Sequence, residues 1–429
     1  MNNQISSSTK TIAKSTMALL LVLSLARELA WAVENQYFNT FLYNVISPDP
    51  KAVSALVSIT AVVSTLTAIF MGTLSDRTRT KWGKRKPFIV FGFIGWGIFT
   101  AVFPTSAFFH SVAVGVFMAI LFDCLMTFFG ATATDAALSA YVADVTTLEN
   151  RGKVVGSMSI MTWVAMLIVY GGAGFVIQYF GYYTFFYFIG GIVFLIGCLC
   201  APRLKEMPDE TKPKTSYFGQ IADTFKWKAL TENKTLFLLL ISLTLFMVAF
   251  NVFFPYLLIY MEHYLKLTIL QSSIVLAVTI LLGGIAASYP IGLLVDRWGR
   301  RPVAICAVIC ESIGLFAFSL AKSVPMVIIS AMMFLIPYTA WTISTQTWTK
   351  DLFPEDKRGQ FSGYYIFFNI ALTMIPGPLL GGWLADTYGI QAEINGQAGI
   401  IPTPILFQVA AGMVLLTLIP LLIIKKQSK

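Results

Sequence analysis

Hydrophobic residues occur along the chain in long runs that polar segments interrupt. We delimit twelve runs, each able to cross a bilayer as a helix of about 20 residues or more. The predicted bounds are 15–45, 52–75, 87–106, 112–143, 153–179, 183–202, 234–261, 269–295, 302–321, 325–349, 360–386 and 402–424. One long polar segment, residues 203–233, separates the sixth run from the seventh. The pattern predicts an all-α polytopic membrane protein with six helices in residues 1–202, a cytoplasmic linker, and six helices in residues 234–429.

The composition and the distribution of charge support this class. The chain is 57% hydrophobic and 12% charged, whereas about a quarter of a soluble domain is charged. With the N-terminus on the inner side, 26 of the 30 Lys and Arg residues fall in inward-facing segments. By the positive-inside rule both termini are cytoplasmic, and we expect the plasma (inner) membrane. The net charge of +9 then meets lipid headgroups, so we expect a bilayer partner and no nucleic acid.

One polar loop occurs twice in the chain. Residues 72–87 and residues 292–302 both run from a glycine through an aspartate, a Trp-Gly pair and a basic cluster to a proline, 220 residues apart. A second match follows in the same order, because Asp144 and Asp351 each precede an Arg-Gly pair by seven residues. The matches indicate two copies of one helical unit, which in an apolar chain is typical of a transporter.

The repeated aspartates end helices where the chain leaves the membrane, and basic residues follow at once. A carboxylate there can accept charge-assisted hydrogen bonds from a neighbouring helix N-terminus and from an arginine. We predict that these bonds latch the two halves in one conformation; the alternative is a solvated loop that only sets orientation. The predicted latch residues are Asp76, Arg77, Arg85, Asp296, Arg297, Arg301, Asp144, Arg151, Asp351 and Arg358.

The duplicated Gly-x-x-x-Asp-Arg…Gly-Arg/Lys-Arg/Lys loop, after the second and eighth spans, resembles the signature loop of the major facilitator superfamily. Twelve spans and a central linker match as well, so the resemblance covers the whole chain. Residues 74–88 resemble the longer loop of the glycoside–pentoside–hexuronide:cation symporters and the related sucrose:proton symporters. The resemblance implies two pseudo-symmetric six-helix bundles and rocker-switch alternating access, with the substrate held midway between them.

Charged residues inside the spans are expensive and are therefore candidate functional groups. At 1.5 Å per residue, Arg27 and Glu28 in the first span and Asp135 in the fourth lie at a similar depth. We predict that these three form one buried cluster whose carboxylate carries the coupling proton. The alternative is a fixed Arg–carboxylate brace between helices. Glu34 and Asp123 lie nearer the outer side and complete the predicted coupling set.

Amides and aromatic rings in the spans suit a sugar, since its C–H faces stack on rings and its hydroxyls need directional hydrogen bonds. The predicted substrate-binding residues are Asn35, Gln36, Asn39, Tyr43, Asn251, Trp341, Gln346 and Asn369. The alternative is that these side chains serve packing or the membrane interface. Glu311 in the ninth span has no assigned role.

Three function classes compete. The loop form and the carboxylates favour a proton- or sodium-coupled sugar symporter. A proton-coupled exporter of drugs, lipids or metabolites is the alternative, although the Gly-Pro-x-x-Gly-Gly pattern of exporters occurs only in span eleven, at Gly377 to Gly382. The third class is a membrane enzyme, but the sequence contains no nucleophile–His pair, no metal cluster and no nucleotide-binding loop that would support it. We therefore expect a monomeric transporter with a small-molecule substrate and a coupling cation, without metal or cofactor.

Overall fold

The computed structural model describes residues 13–205, 233–352, 364–365 and 367–424. Twelve helices long and apolar enough to cross a membrane occur in these residues, once the longest is divided at Gly181, where φ is +82°. We number them α1 Lys14–Ile46, α2 Pro50–Arg77, α3 Lys86–Phe108, α4 Val112–Val145, α5 148–180, α6 182–199, α7 Lys234–Tyr264, α8 Ile269–Trp298, α9 Arg300–Ser319, α10 Val324–Leu352, α11 Phe367–Tyr388 and α12 Ile405–Ile423. The predicted fold class is confirmed, while most of the predicted linker, residues 206–232, lies outside the described residues.

Local sequence signals set several helix ends. Asp49 caps α2, because its side chain accepts a hydrogen bond from the Lys51 N–H. A capping box formed by Thr268 and Gln271 begins α8. Gly299, with φ at +86°, separates α8 from α9. A positive φ is strained for a residue with a Cβ, so the glycine of the repeated loop has a backbone role.

The twelve helices form two bundles, α1–α6 and α7–α12. Within the first bundle α3 packs closely on α6, where Gly97 and Gly190 allow the backbones to approach. Within the second bundle α9 packs on α10 and α12. Between the bundles α2 packs on α11, and α5 packs on α8. The buried core follows the helix faces that meet at these contacts.

The two ends of the molecule differ. One end, which we call the hairpin face, carries β1 (Ile390–Ile394) and β2 (Gln397–Ile401), an antiparallel hairpin between α11 and α12. The other end, the loop face, carries the two copies of the repeated polar loop. The halves bond to each other at the hairpin face, whereas no hydrogen bond or ion pair between described residues joins them at the loop face.

The hairpin belongs to the C-terminal half but rests on the N-terminal half. The Ile400 N–H donates to the Pro48 carbonyl at 3.1 Å, and the Tyr43 hydroxyl donates to the Ile400 carbonyl at 2.7 Å. The Asn395 amide donates to the Asn44 carbonyl at 2.8 Å. The hairpin therefore closes this end of the space between the halves.

Candidate functional site: an interfacial cavity and a charged cluster

A cavity of about 310 Å³ lies between the two halves. Its polar groups come from both halves, and they are Glu28, Asn35, Tyr170, Asn251, Thr279, Tyr338 and Asn369. Its aromatic walls come from both halves as well, and they include Trp31, Trp163, Phe250, Phe254, Phe318 and Phe334. The arrangement offers flat apolar surfaces with a few hydrogen-bonding groups, which is typical of a small-molecule site.

Helix periodicity explains which residues reach the cavity. Positions 28, 31, 32 and 35 of α1 line it, as do positions 163, 166 and 170 of α5 and positions 247, 250, 251 and 254 of α7. Spacings of three and four residues put side chains on one face of a helix. Trp163, Tyr170 and Tyr338 were missed in the sequence analysis, although the same spacing was a signal for the first two.

Three of the residues predicted to bind substrate line the cavity: Asn35, Asn251 and Asn369. The Asn35 amide donates to the Trp31 carbonyl at 2.7 Å, and the Asn251 amide donates to the Met247 carbonyl at 2.9 Å. These bonds hold each amide against its own helix, and its oxygen has no hydrogen-bond donor among the described residues. The oxygens are therefore available to accept from a ligand hydroxyl.

The other five predicted binding residues lie away from the cavity lining. Gln36 donates to the Phe254 carbonyl at 2.8 Å and Asn39 to the Asn35 carbonyl at 2.8 Å, while Tyr43 bonds the hairpin. Trp341 is 1% exposed and stacks on Phe246 with ring centroids 4.4 Å apart. Gln346 is exposed on α10. In this conformation Gln36 and Tyr43 contact the other half, Asn39 and Trp341 are buried within their own half, and a role in substrate binding stays a prediction for all five.

The predicted charged cluster is brought together beside the cavity. Arg27 Nε lies 3.6 Å from Glu28 Oε1, and Arg27 Nη2 lies 3.8 Å from Asp135 Oδ1. Both separations exceed the 2.7–2.9 Å or so of a charge-assisted hydrogen bond. The buried Nε has no hydrogen-bond partner among the described residues. Arg27 attracts both carboxylates without being locked to either, and the two carboxylates repel each other, an arrangement that is compatible with a site whose protonation changes.

A π-helical turn, Thr132–Leu138, carries Asp135. Such turns break the regular helix ladder and are frequent at functional sites. The Thr134 hydroxyl donates to Asp135 Oδ1 at 3.3 Å. The wider turn and this weak bond leave the carboxylate room to change partners.

The remaining intramembrane carboxylates are more enclosed. Thr127 donates to Glu34 Oε1 at 3.0 Å, and the second Glu34 oxygen is buried without a hydrogen-bond partner among the described residues. Asp123, 2% exposed, interacts electrostatically with Glu34. Glu311 is 1% exposed, and neither of its carboxyl oxygens has a hydrogen-bond partner there. Unpaired buried charge is costly, so these groups are candidates to carry a proton.

At the loop face, Arg85 is the centre of the N-terminal copy of the repeated motif. It pairs with Asp76, lies 3.4 Å from Asp144 Oδ2 through its Nε, and donates to the Ser75 hydroxyl at 2.7 Å. Lys84 Nζ lies 3.3 Å from the same Asp144 oxygen. The motif therefore ties the end of α2 to the end of α4, within one half.

The C-terminal copy is built differently. Arg300 pairs with Asp351, and Arg301 donates to the carbonyls of Leu421 and Leu422 at 3.2 and 3.1 Å. Asp296 is exposed and forms no ion pair with a described residue.

Four further residues complete the predicted latch. Arg77 is half-buried and Arg297 exposed, while Arg358 and the side chain of Arg151 lie outside the described residues. The latch between the halves stays a prediction for a state in which the loop face is closed.

The described residues contain no group of three or more His, Cys, Asp or Glu side chains that could hold a metal ion. The five cysteines of the chain are all free. The cavity and the charged cluster offer groups for hydrogen bonding, stacking and proton binding by carboxylates.

Comparisons with known proteins agree with this architecture. The family model described as Major Facilitator Superfamily matches residues 11–288 and 250–429. No curated protein matches the chain by sequence.

Solved structures match its fold. A point mutant of the nucleoside transporter NupG has a TM-score of 0.73 at 14% identity, covering 96% of this chain and 100% of its own. The xylose transporter XylE from E. coli has a TM-score of 0.66 at 14% identity, covering 96% and 99%. A bacterial homolog of the human lysosomal transporter Spinster has a TM-score of 0.64 at 14% identity, covering 96% and 94%. The chain belongs to the major facilitator superfamily.

Proposed function

We propose that this transporter carries a sugar, or a compound containing a sugar, in symport with a proton or Na⁺. The observation that supports the proposal is the position of Glu28. This carboxylate lines the cavity and also faces Arg27 in the charged cluster at 3.6 Å. A single side chain thus connects the space for a substrate with the group proposed to carry the cation.

The cavity lining fits a polyhydroxylated substrate with apolar faces. Ring walls can stack against C–H surfaces, while the oxygens of Asn35 and Asn251 can accept from hydroxyls. Asn369 adds a third amide, which lies on the C-terminal half together with Asn251. Groups on both halves that bind one ligand would draw the halves together, which is what alternating access requires.

The charged cluster supplies the proposed coupling. With Arg27 charged and both carboxylates ionised, the cluster carries one net negative charge, and a proton on Asp135 or Glu28 makes it neutral. An uncompensated charge in the membrane is expensive during the conformational change. The cation would therefore have to bind before the two halves can change between the inward-facing and outward-facing states with substrate bound.

The distribution of basic residues supports a cytoplasmic position for the loop face, by the positive-inside rule. Because the halves touch at the hairpin face, the structure then corresponds to an inward-facing state. Both termini are cytoplasmic in this proposal, and the protein works as a monomer in the plasma (inner) membrane. Residues 1–202 and 234–429 are proposed as the moving domains, joined by the linker at residues 203–233.

A nucleoside is a second candidate substrate, since its base would stack and its ribose would bond. The aromatic wall formed by Trp31, Trp163 and Tyr170 favours a ligand with a flat ring. Nucleoside is also the substrate named for NupG, whose likeness here concerns the fold. An exporter of drugs or lipids remains the alternative from a different class.

The test is a transport assay in proteoliposomes that contain a trapped pH dye. Mono- and disaccharides, aryl glycosides and nucleosides are added one at a time, with and without Na⁺. We expect one of these classes of compound to trigger acidification of the lumen, which would show proton symport. If the lumen does not acidify, we expect uptake of that class to depend on Na⁺. If none of these compounds moves or competes, the symporter proposal fails and the exporter becomes the leading function.

A further inference from the structure

A half-buried polar network joins the halves at the hairpin face, outside the cavity lining. The Asn44 amide at the end of α1 donates from Nδ2 to Glu262 Oε2 at 2.9 Å and to the Tyr182 hydroxyl at 3.2 Å. Its Oδ1 lies 2.7 Å from His263 Nε2. Asn44 and Tyr182 belong to the N-terminal half, whereas Glu262 and His263 lie in the π-helical turn that ends α7. The network exists only while the halves are closed at this face.

Counting donors and acceptors defines the state of the network. Both N–H donors of Asn44 are used, so its oxygen must accept, which requires a proton on Nε2 of His263. Glu262 receives one hydrogen bond on Oε2 from a neutral amide. Its other oxygen, Oε1, is buried with no hydrogen-bond partner among the described residues. The Asn44 amide is satisfied at both ends, whereas one carboxyl oxygen of Glu262 is not.

The surroundings of Glu262 supply no compensating positive charge. Tyr37 on α1 and Tyr182 on α6 face the carboxyl, and Tyr43 lies beside the imidazole with ring centroids 5.3 Å apart. β2 and the first turn of α8 pack against this end of α7, and neither contains a charged residue. Lys266, the next basic residue along the chain, is exposed, and Glu262 forms no ion pair with a described residue.

We propose that Glu262 is a proton-binding site of the hairpin-face gate, which takes up a proton as the halves close and releases it to that side as they part. A carboxylate that has one buried oxygen without a partner, one neutral donor and no cation is disfavoured relative to the carboxylic acid. When the halves separate, Asn44 leaves and water reaches the group, so it ionises. Closure binds one proton more than the open state, and acid on this side therefore favours the closed gate.

The proposal rests on the alternating access stated under Proposed function. It is independent of the substrate and of the Arg27 cluster, because the proton on Glu262 is exchanged with the hairpin side alone. A gate that closes in response to protons from that side would regulate the cycle even when no substrate is present.

The test measures the gate directly. In a background with the five cysteines changed to serine, Ser111→Cys and Ser323→Cys place spin labels on exposed loops of the two halves at the hairpin face. Distances are measured by pulsed EPR in nanodiscs between pH 5 and pH 9 without substrate. The variants are Glu262→Gln, a stable mimic of the protonated acid, and His263→Gln, which keeps the carboxyl. Glu393→Gln, an exposed carboxylate on β1, is the matched control.

We expect the closed-to-open ratio of the unmodified gate to fall with rising pH, by at most about tenfold per pH unit for one proton. Glu262→Gln should shift towards the closed state and lose most of this pH response, while His263→Gln and Glu393→Gln should respond as the parent does. A full pH response in Glu262→Gln, or its loss in His263→Gln alone, would overturn the assignment to Glu262. If Glu262→Gln does not fold, the response of His263→Gln still decides between the carboxyl and the imidazole. If the distance between the spin labels stays the same at every pH, even with a transported substrate, alternating access is overturned as well. Failure of the Glu262 proposal can thus be told apart from failure of the proposed function.

Discussion

Lys51 Nζ lies 2.8 Å from Asp386 Oδ2, so the first turn of α2 and the end of α11 are joined across the hairpin face by an ion pair. The Lys51 side chain is 61% exposed, and exposed pairs contribute little because solvent screens them. We expect Asp386→Asn to change the closed-to-open ratio of this face by less than about fivefold, and less still in high salt. The EPR pair described above measures this. A larger change would mean that the ion pair, and not the packing around it, holds the gate.

We expect packing between α5 and α8 to affect the closed state of the hairpin face more than the Lys51–Asp386 ion pair does. A Cβ on Gly174 would lie 2.2 Å from Ser273 Oγ and 2.5 Å from the Ile269 carbonyl, both on the other half. Gly174→Ala should therefore disfavour the state closed at the hairpin face and slow transport about tenfold or more. Gly172→Ala is the matched control, since nothing lies within 4 Å of a Cβ there.

Equal transport by the two glycine variants would contradict this prediction. A large loss of thermal stability without a shift in the EPR distances would also contradict it, because the clash is relieved when the halves part. The measurements are initial uptake rates and the distance between the spin labels.

Asp135→Asn should separate substrate movement from coupling. The amide keeps the shape of the side chain but cannot exchange a proton, so accumulation against a gradient should be abolished. Exchange of labelled for unlabelled substrate should continue, since that reaction needs no net proton movement. Counterflow and gradient-driven uptake in the same vesicles give the two rates, and full accumulation by the variant would show that Asp135 is structural.

Asn251→Ala should weaken substrate binding. The side chain lines the cavity and its oxygen is available to a ligand, so its removal should raise the Michaelis constant about fivefold or more, as expected for a lost hydrogen bond to a ligand. Ser242→Ala on the same helix is the control, because Ser242 donates to the Leu238 carbonyl at 2.9 Å and lies outside the cavity lining. Parallel changes in both variants would indicate damage to α7 instead of loss of a binding group.

Arg85→Ala should destabilise the N-terminal half. The side chain is 6% exposed, and its removal leaves Asp76 and Asp144, which are 37% and 39% exposed, without their shared cation. Loss of a buried ion-pair partner costs about 3–5 kcal/mol, and the partial exposure of the carboxylates lowers our expectation to about 1–3 kcal/mol. Thermal unfolding in detergent should show a clear drop for Arg85→Ala and almost none for Arg79→Ala, an exposed arginine of the same loop. Equal melting temperatures would contradict this role.

The architecture could be predicted from the sequence because a helix in the membrane must satisfy its own backbone hydrogen bonds. Each hydrophobic run therefore corresponds to one membrane span. Depth counting also placed Arg27 and Asp135 at one level, and the structure puts them 3.8 Å apart. The glycines of the repeated loop, Gly83 and Gly299, both have positive φ, which accounts for the presence of glycine in both copies.

Other features were not accessible, or were overlooked, at the sequence level. The π-helical turn around Asp135 has no sequence signature, since it depends on packing between helices. The β-hairpin was missed although Asn395 and Gly396, with φ at +51° and +81°, form the Asn-Gly turn that typically marks one. The role of Glu262 depends on Asn44 from the other half, which a linear pattern does not reveal.

The three hydrogen bonds that seat the hairpin on the N-terminal half are all accepted by main-chain carbonyls, those of Pro48, Asn44 and Ile400. These acceptors remain whatever side chains the three positions carry, but two of the donors are side chains, the Tyr43 hydroxyl and the Asn395 amide. Substitutions around the seat can therefore accumulate without loss of these bonds as long as Tyr43 and Asn395 are kept. Gly399 is constrained as well, because a Cβ there would lie 2.6 Å from Pro48. Substitutions elsewhere in the protein can thus change transport while the contacts that close the hairpin face are kept.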